Sequence, residues 1–152
     1  MYWLFTAIFM LALLYHSYTD IKSYLLYDRV TCFLAGAGLA RALYYGVWRD
    51  SLEGAGVLLI IMLVIYFASR GGMGEGDVKL APVLGLWLGL EQGLAALLLA
   101  FVSGGVVGLA LLACGRRRQL LPFGPFLCAG ALAAYFWGVE LVAWYWGLVC
   151  CN

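Results

Sequence analysis

Charged residues are scarce in this chain of 152 residues. Only 11% of the residues are Asp, Glu, Lys or Arg, whereas 66% are hydrophobic. A soluble domain is about one quarter charged and about half apolar. The composition therefore excludes a water-soluble fold and indicates an integral membrane protein. The formal net charge of +1 gives no reason to expect a nucleic-acid partner.

Histidine is nearly absent, and the cysteines form no metal-binding motif. One histidine, His16, and five cysteines without a C-x-x-C pair are too few for a usual zinc site, so we expect neither a metal nor a cofactor. A nucleophile activated by histidine is also disfavoured, because His16 falls within the first apolar run without an evident nucleophile partner. We interpret the cysteines as small apolar filler and assign no function to Cys150 and Cys151.

Long apolar runs are what the chain has in abundance. A helix needs roughly 20 apolar residues to cross the hydrocarbon core of a bilayer. The runs cover approximately 2–18, 30–48, 52–69, 78–90, 93–113 and 120–137, and the last extends as far as 146 in a longer interpretation. We therefore predict an all-α integral membrane protein, with a single domain over 1–152 that forms a bundle of six transmembrane helices.

Basic residues are distributed unevenly among the five connecting loops. Seven of the nine Lys and Arg fall in loops one, three and five, namely Lys22, Arg29, Arg70, Lys79 and the arginines at 116–118. The other two, Arg41 and Arg49, flank loop two, and we expect Arg41 to extend toward the membrane interface. The positive-inside rule then places loops one, three and five in the cytoplasm and both termini outside.

The segment between the third and fourth runs carries the strongest chemical signal. Gly74-Glu75-Gly76-Asp77 places a carboxylate at the edge of a membrane span, a costly position whose default interpretation is functional. Its glycines let the backbone approach a substrate closely. Loop one offers two candidates for a partner acid, Asp20 and Asp28. Both loops lie on the predicted cytoplasmic face, so either acid can be a neighbour of Asp77.

Two neighbouring carboxyl groups can hydrolyse a peptide bond. One carboxylate activates water, and one carboxylic acid donates a proton to the carbonyl oxygen. A close pair holds one shared proton because both groups cannot easily ionise together. The same acids also fit a non-enzymatic proton or cation pathway, and spacing alone leaves that alternative open.

Three segments resemble those of the type IV prepilin peptidase family. Residues 19–31 (TDIKSYLLYDRVT) resemble its first-aspartate segment, which reads D-x-R/K and then I-P-N/D-x-L-T. Residues 72–80 (GMGEGDVKL) resemble its G-x-G-x-G-D-x-K segment, and 121–126 (LPFGPF) its PFGP segment. The resemblance implies that Asp20 and Asp77 are the catalytic pair and that Asp28 is a loop residue. Leu26-Tyr27 replaces the family's Ile-Pro, which removes a proline that would fix the chain after the aspartate.

The resemblance implies a membrane aspartic endopeptidase that removes the leader of prepilin-like proteins, after a glycine, at the cytoplasmic face of the cell membrane. Gly74 and Gly76 would let the substrate backbone approach. Lys22, Lys79 and Arg70 would steer or anchor the site, or else serve as interfacial anchors. We expect Pro122 to Pro125 to shape the start of the last helix rather than to take part in the chemistry.

The implied partners are prepilin-like substrates and the lipid bilayer. The chain is similar to the short, peptidase-only form of the family, which lacks the N-terminal methylation segment with its paired C-x-x-C motifs. A second, lesser resemblance is to presenilin-type intramembrane proteases, which carry YD and GxGD motifs like Tyr27-Asp28 and 74–77. There the two aspartates lie on adjacent spans, whereas two whole spans separate the motifs here.

Overall fold

The computed structural model describes residues 1–23, 26–69, 72–114 and 122–150, and all regular structure in these ranges is helical. The helices are α1 (Tyr2–Ser23), α2 (Asp28–Tyr45), α3 (Trp48–Ala68), α4 (Glu75–Ala113) and α5 (Gly124–Cys150). All except α2 contain a stretch that is long and apolar enough to cross a membrane. The predicted all-α class of membrane protein is confirmed.

Helix α4 folds back on itself at Gly89. This residue has φ 78° and ψ −172°, a conformation that favours glycine. A Cβ atom on Gly93 would lie 3.7 Å from the Cα of Gly85, whereas eight residues of a straight helix span about 12 Å. The chain therefore reverses at Gly89, and α4 consists of a first arm (75–88) and a second arm (90–113). These arms correspond to the predicted runs 78–90 and 93–113.

Two charged side chains stabilise the reversal. Arg41 of α2 donates a hydrogen bond to the carbonyl oxygen of Trp87 at 2.8 Å. Asp50 of α3 accepts a hydrogen bond from the N–H of Leu90 at 3.1 Å. The cation thus lies at the C-terminal end of the first arm and the anion at the N-terminal end of the second, as the helix dipole favours. Arg41, which was expected to extend toward the membrane interface, binds a carbonyl that the turn frees.

Glycines bring the neighbouring helices close to both arms. A Cβ on Gly54 of α3 would lie 2.5 Å from the carbonyl carbon of Gly89, and one on Gly130 of α5 would press on the carbonyl oxygen of Ala96. Such contacts are typical of helices that pack through small residues in membranes. As a result α3 packs on the first arm near the reversal and α5 packs on the second arm.

Trp87 joins α1, α2 and α4 in the core. Its side chain is 1% exposed, its Nε1 donates to the carbonyl oxygen of Leu34 at 2.9 Å, and the ring of Phe9 stacks on it at a centroid distance of 4.8 Å. Removing this ring would cost about 3–5 kcal/mol of folding free energy in a typical core. This packing fixes α1 against α4, the two helices that carry the predicted catalytic aspartates.

The bundle has two distinct ends. At one end, which we call the dyad end, Asp20 of α1 contacts Gly124 at the start of α5, and Asp28 at the start of α2 contacts Lys79 near the start of α4. The opposite end holds the α2–α3 turn and the reversal of α4. The two acidic segments therefore lie at one end, as loops one and three were predicted to do. Arg70 and the arginines at 116–118 lie outside the described residues.

Candidate active site

Asp20 lies on helix α1 rather than in loop one, where it was predicted. The helix continues past Tyr18 to Ser23, and the Thr19 hydroxyl is satisfied within it by donating to the His16 carbonyl at 3.1 Å. The Asp20 side chain is buried. Its Oδ2 accepts a hydrogen bond from the N–H of Gly124 at 2.9 Å. A helix end and a second helix start therefore hold this carboxylate in place.

Asp77 lies in the first turn of α4, whereas it was predicted to lie in a Gly-rich loop over 70–79. Its N–H donates to the carbonyl oxygen of Gly74 at 3.2 Å, and an acid in a first helical turn is favoured by the helix dipole. The side chain is buried, and its Oδ1 has no hydrogen-bond partner among the described residues. A Cβ on Gly74 would lie 3.2 Å from Asp77 Oδ2, so this glycine leaves room for the carboxylate.

The two aspartates share one cavity of about 440 Å³ at the dyad end. Each lines it, and their carboxylates are close enough to interact electrostatically. The buried thiol of Cys128 on α5 is near both. The described lining residues are Asp20, Leu26, Tyr27, Asp28, Arg29, Gly74, Glu75, Gly76, Asp77 and Lys79. The structure thus brings together the two acids that sequence analysis paired.

The other predicted site residues divide into two groups. Gly74, Gly76 and Lys79 line the cavity, whereas Lys22 is not among its described lining residues. Lys22 Nζ instead lies over the ring of Tyr18, 5.7 Å from its centroid. Lys79 Nζ contacts both carboxylate oxygens of Asp28, at 3.0 Å and 2.9 Å. Asp28 is the first residue of α2, so it lies in a helix rather than in a loop.

The side chain of Leu26, in the first-aspartate segment, packs on Gly76. A Cβ at this position would lie 2.7 Å from Leu26 Cδ1 and 2.8 Å from Leu26 Cβ. The glycine therefore lets the segment after Asp20 pack against the start of α4. Leu26 stands where the resembled segment has Ile, and either side chain supplies the apolar contact.

Gly124 is a site residue that sequence analysis missed. The segment 122–125 was expected only to shape the start of the last helix, yet the Gly124 N–H binds the Asp20 carboxylate. A Cβ on Gly124 would lie 2.5 Å from Asp20 Oδ2. Pro125 follows in the first turn of α5, where a missing N–H is tolerated. The sequence did carry a signal for this role, because Gly124 keeps its N–H between two prolines at the start of a helix.

His16 lies on α1 one turn before Asp20 and is fully buried. Its Nε2 is 3.5 Å from the hydroxyl oxygen of Thr31 on α2. In the described part of the chain, no group of three or more His, Cys, Asp or Glu side chains is placed to hold a metal ion. The arrangement offers the chemistry of two buried carboxyl groups in one cavity.

Comparison with known proteins decides the family. Residues 7–109 match the type IV leader peptidase family. The chain belongs to the type IV leader peptidase family. The matched range contains both aspartate segments of this leader peptidase homologue, whereas Gly124 lies beyond it.

Curated relatives support this membership. The chain is 35% identical over 144 residues to a prepilin leader peptidase/N-methyltransferase of Bacillus subtilis (strain 168), covering 91% of the chain and 57% of that protein. A protein of the same name from Burkholderia pseudomallei (strain 1026b) is 40% identical over 136 residues, with 84% and 44% covered. One from Legionella pneumophila is 34% identical over 139 residues, with 86% and 48% covered. The chain thus spans about half the length of these relatives. No solved structure matches it.

Proposed function

We propose that the chain is a membrane aspartic endopeptidase that removes the leader peptide of prepilin-like proteins. The observation that carries this proposal is the pair of buried carboxyl groups, Asp20 and Asp77, in one cavity at the end of an apolar helix bundle. Membership in the leader peptidase family supports the reaction, and the printed names of the relatives support the substrate class.

The two acids would act as a general base and a general acid. One carboxylate removes a proton from water while the water oxygen attacks the scissile carbonyl carbon. The other acid donates its proton to the carbonyl oxygen. The resulting diol collapses, the C–N bond breaks, and the leaving nitrogen takes up a proton. Positioned proton transfer of this kind contributes about 10²- to 10⁴-fold to a rate.

The dyad end would face the cytoplasm, and the chain would cross the membrane six times. The six crossings are α1, α2, α3, the two arms of α4, and α5. Helix α2 has 18 residues and is about 27 Å long, which is close to the thickness of a bilayer core of about 30 Å. Lys22, Arg29 and Lys79 lie at the dyad end, which supports a cytoplasmic orientation with both termini outside.

Asp20 is a better partner for Asp77 than Asp28, which a presenilin-type site would use. The Asp28 side chain is 65% exposed and paired with Lys79, whereas Asp20 is buried beside Asp77. Burial beside a second carboxyl group favours a shared proton, whereas Asp28 is exposed and bound to a lysine.

Cleavage of a prepilin-like substrate by the purified protein in lipid vesicles tests the proposal. Asp20→Asn and Asp77→Asn should each lower the cleavage rate by at least about a hundredfold while both variants still insert into the membrane. Full activity in Asp77→Asn would eliminate the proposed mechanism. Vesicles loaded with a pH-sensitive dye test the rival hypothesis, because a proton pathway would dissipate a pH gradient without cleaving the substrate.

A further inference from the structure

The two carboxyl groups of the dyad have different surroundings. Both groups lie near a helix start, Asp20 at that of α5 and Asp77 at that of α4, so a helix dipole favours an anion at either position. Asp20 Oδ2 in addition accepts a hydrogen bond from the N–H of Gly124. Asp77 Oδ1 is buried without a hydrogen-bond partner among the described residues. An N–H donor favours an ionised carboxylate, whereas burial without a donor favours a neutral acid. The pair is therefore asymmetric before any substrate binds.

We propose that Gly124 is a positioning residue that makes Asp20 the ionised, water-activating member of the dyad and leaves the proton on Asp77. This inference rests on the proposed function, because it assigns the two roles within that acid pair. Gly124 would act through its backbone N–H and through the absence of a side chain.

The charged and titratable groups around Asp20 are consistent with this assignment. They are His16 on its own helix, Asp77, Glu75 and Lys79 from α4, Asp28 and Arg29 from α2, and Cys128 from α5. Within the described part of the chain, Asp20 makes no ion pair, and Lys79 is held by Asp28. The N–H of Gly124 is thus the group that distinguishes the anion at Asp20 from the acid at Asp77.

The assignment gives each proton a defined course. The Asp20 carboxylate removes a proton from water as the water oxygen bonds to the scissile carbonyl carbon, and Asp77 donates its proton to the carbonyl oxygen. When the C–N bond breaks, Asp20 gives its proton to the amine nitrogen, and Asp77 takes a proton back from the diol. One water is consumed, and both acids return to their starting states.

Only glycine fits at position 124 without moving Asp20. A Cβ there would lie 2.5 Å from Oδ2, 2.9 Å from Cγ and 3.2 Å from Cβ of Asp20. Every one of these atoms is close, so rotation of the Asp20 carboxylate alone cannot relieve the overlap. Any side chain at position 124 therefore separates the N–H from the carboxylate.

The pH dependence of cleavage by Gly124→Ala tests the role of this contact. We expect kcat to fall by roughly tenfold or more with little change in KM. We expect the acid limb of the kcat profile to move to higher pH by roughly one to two units. The alkaline limb reports the ionisation of Asp77 and should stay in place. Asp20 is an anion both before and after that ionisation, so the two states lose the same hydrogen bond.

Two outcomes of this experiment overturn the inference. A shift of the alkaline limb alone would place the proton on Asp20 rather than on Asp77. Wild-type kcat with both limbs unmoved would show that the contact has no role. Gly130→Ala is the matched control, because its Cβ presses on the Ala96 carbonyl oxygen of the second arm of α4. It should lower stability and move neither limb, and an equal acid-limb shift in this variant would also overturn the inference.

Infrared spectroscopy locates the proton even if Gly124→Ala does not fold. In detergent, the absorption band of the remaining protonated carboxyl group should disappear at a lower pH in Asp77→Asn, where Asp20 is left, than in Asp20→Asn, where Asp77 is left. Equal pH values or the reverse order overturns the assignment. The measurement needs no substrate, so a protein that shows the expected bands but cleaves no prepilin-like substrate would refute the proposed function and not the distribution of the proton.

Discussion

Leu26 packs directly on Gly76, so that the segment following Asp20 rests on the first turn of α4, one residue before Asp77. The contact joins the two aspartate segments through apolar atoms, in addition to the Asp28–Lys79 ion pair. It explains why a glycine is needed at a position where the backbone itself is helical.

Enlarging Gly76 should displace the first-aspartate segment. A Cβ there meets Leu26 Cδ1 and Cβ, and we expect Gly76→Ala to lower kcat/KM about ten- to a hundredfold. The double variant Gly76→Ala/Leu26→Gly removes both opposing atoms and should recover part of the loss. Gly56→Ala, whose Cβ meets nothing within 4 Å, is the control. A double variant no better than Gly76→Ala would show that Leu26 is not the cause.

The Asp28–Lys79 pair should matter little for catalysis. Both side chains are more than half exposed, and exposed pairs contribute little because water and salt screen them. We expect Asp28→Asn and Lys79→Gln each to keep kcat/KM within about fivefold of wild type. Cleavage assays at low and high salt measure this, and the difference should shrink as salt rises. An inactive Asp28→Asn together with an active Asp20→Asn would transfer the catalytic role to Asp28.

The reversal of α4 should be a main source of stability at the opposite end of the bundle. Arg41→Met leaves the Trp87 carbonyl without its donor, and Asp50→Leu leaves the Leu90 N–H without its acceptor. Each change should lower the free energy of unfolding by about 1–3 kcal/mol. Thermal unfolding in detergent micelles measures this. Arg49→Ala is the control, since Arg49 lies over the ring of neighbouring Trp48. Arg41→Met should unfold at a clearly lower temperature than this control.

Thiol labelling in intact cells should establish the orientation. An impermeant maleimide added outside should miss Cys114, which is exposed at the end of α4. It should label a cysteine introduced by Arg49→Cys at the start of α3 when the other cysteines are replaced. Labelling of Cys114 and not of position 49 would invert the proposed topology and place the dyad outside.

The features that sequence analysis predicted correctly depend on local properties. Runs of apolar residues marked the helices, because hydropathy is visible within a short window. The acids at two span edges were visible in the same way, and their catalytic role stays a prediction. The features it missed depend on contacts between distant segments. Arg41 meets Trp87 only because Gly89 frees a carbonyl, and Gly124 meets Asp20 only because α5 begins beside the end of α1.

The turn between the two arms of α4 is another feature whose position depends on a contact between distant segments. The predicted runs 78–90 and 93–113 placed the break at 91–92, whereas the structure reverses the chain at Gly89. A Cβ at Gly89 would collide with the Asp50 carboxylate, so the position of the turn is set by an acid on α3. Polarity alone could place the break only within a few residues.

Asp20, Asp77 and Gly124 each lie near the end of a different helix, namely the last turns of α1 and the first turns of α4 and α5. Helices in a bilayer adjust their tilt to the local hydrocarbon thickness. A shift of α1 by one helical turn against its neighbours, about 5.4 Å, would exceed the 2.9 Å that separates Asp20 from the Gly124 nitrogen. The thickness of the surrounding bilayer would therefore act on the site through the tilt of these three helices, as a change in register acts on a coiled coil.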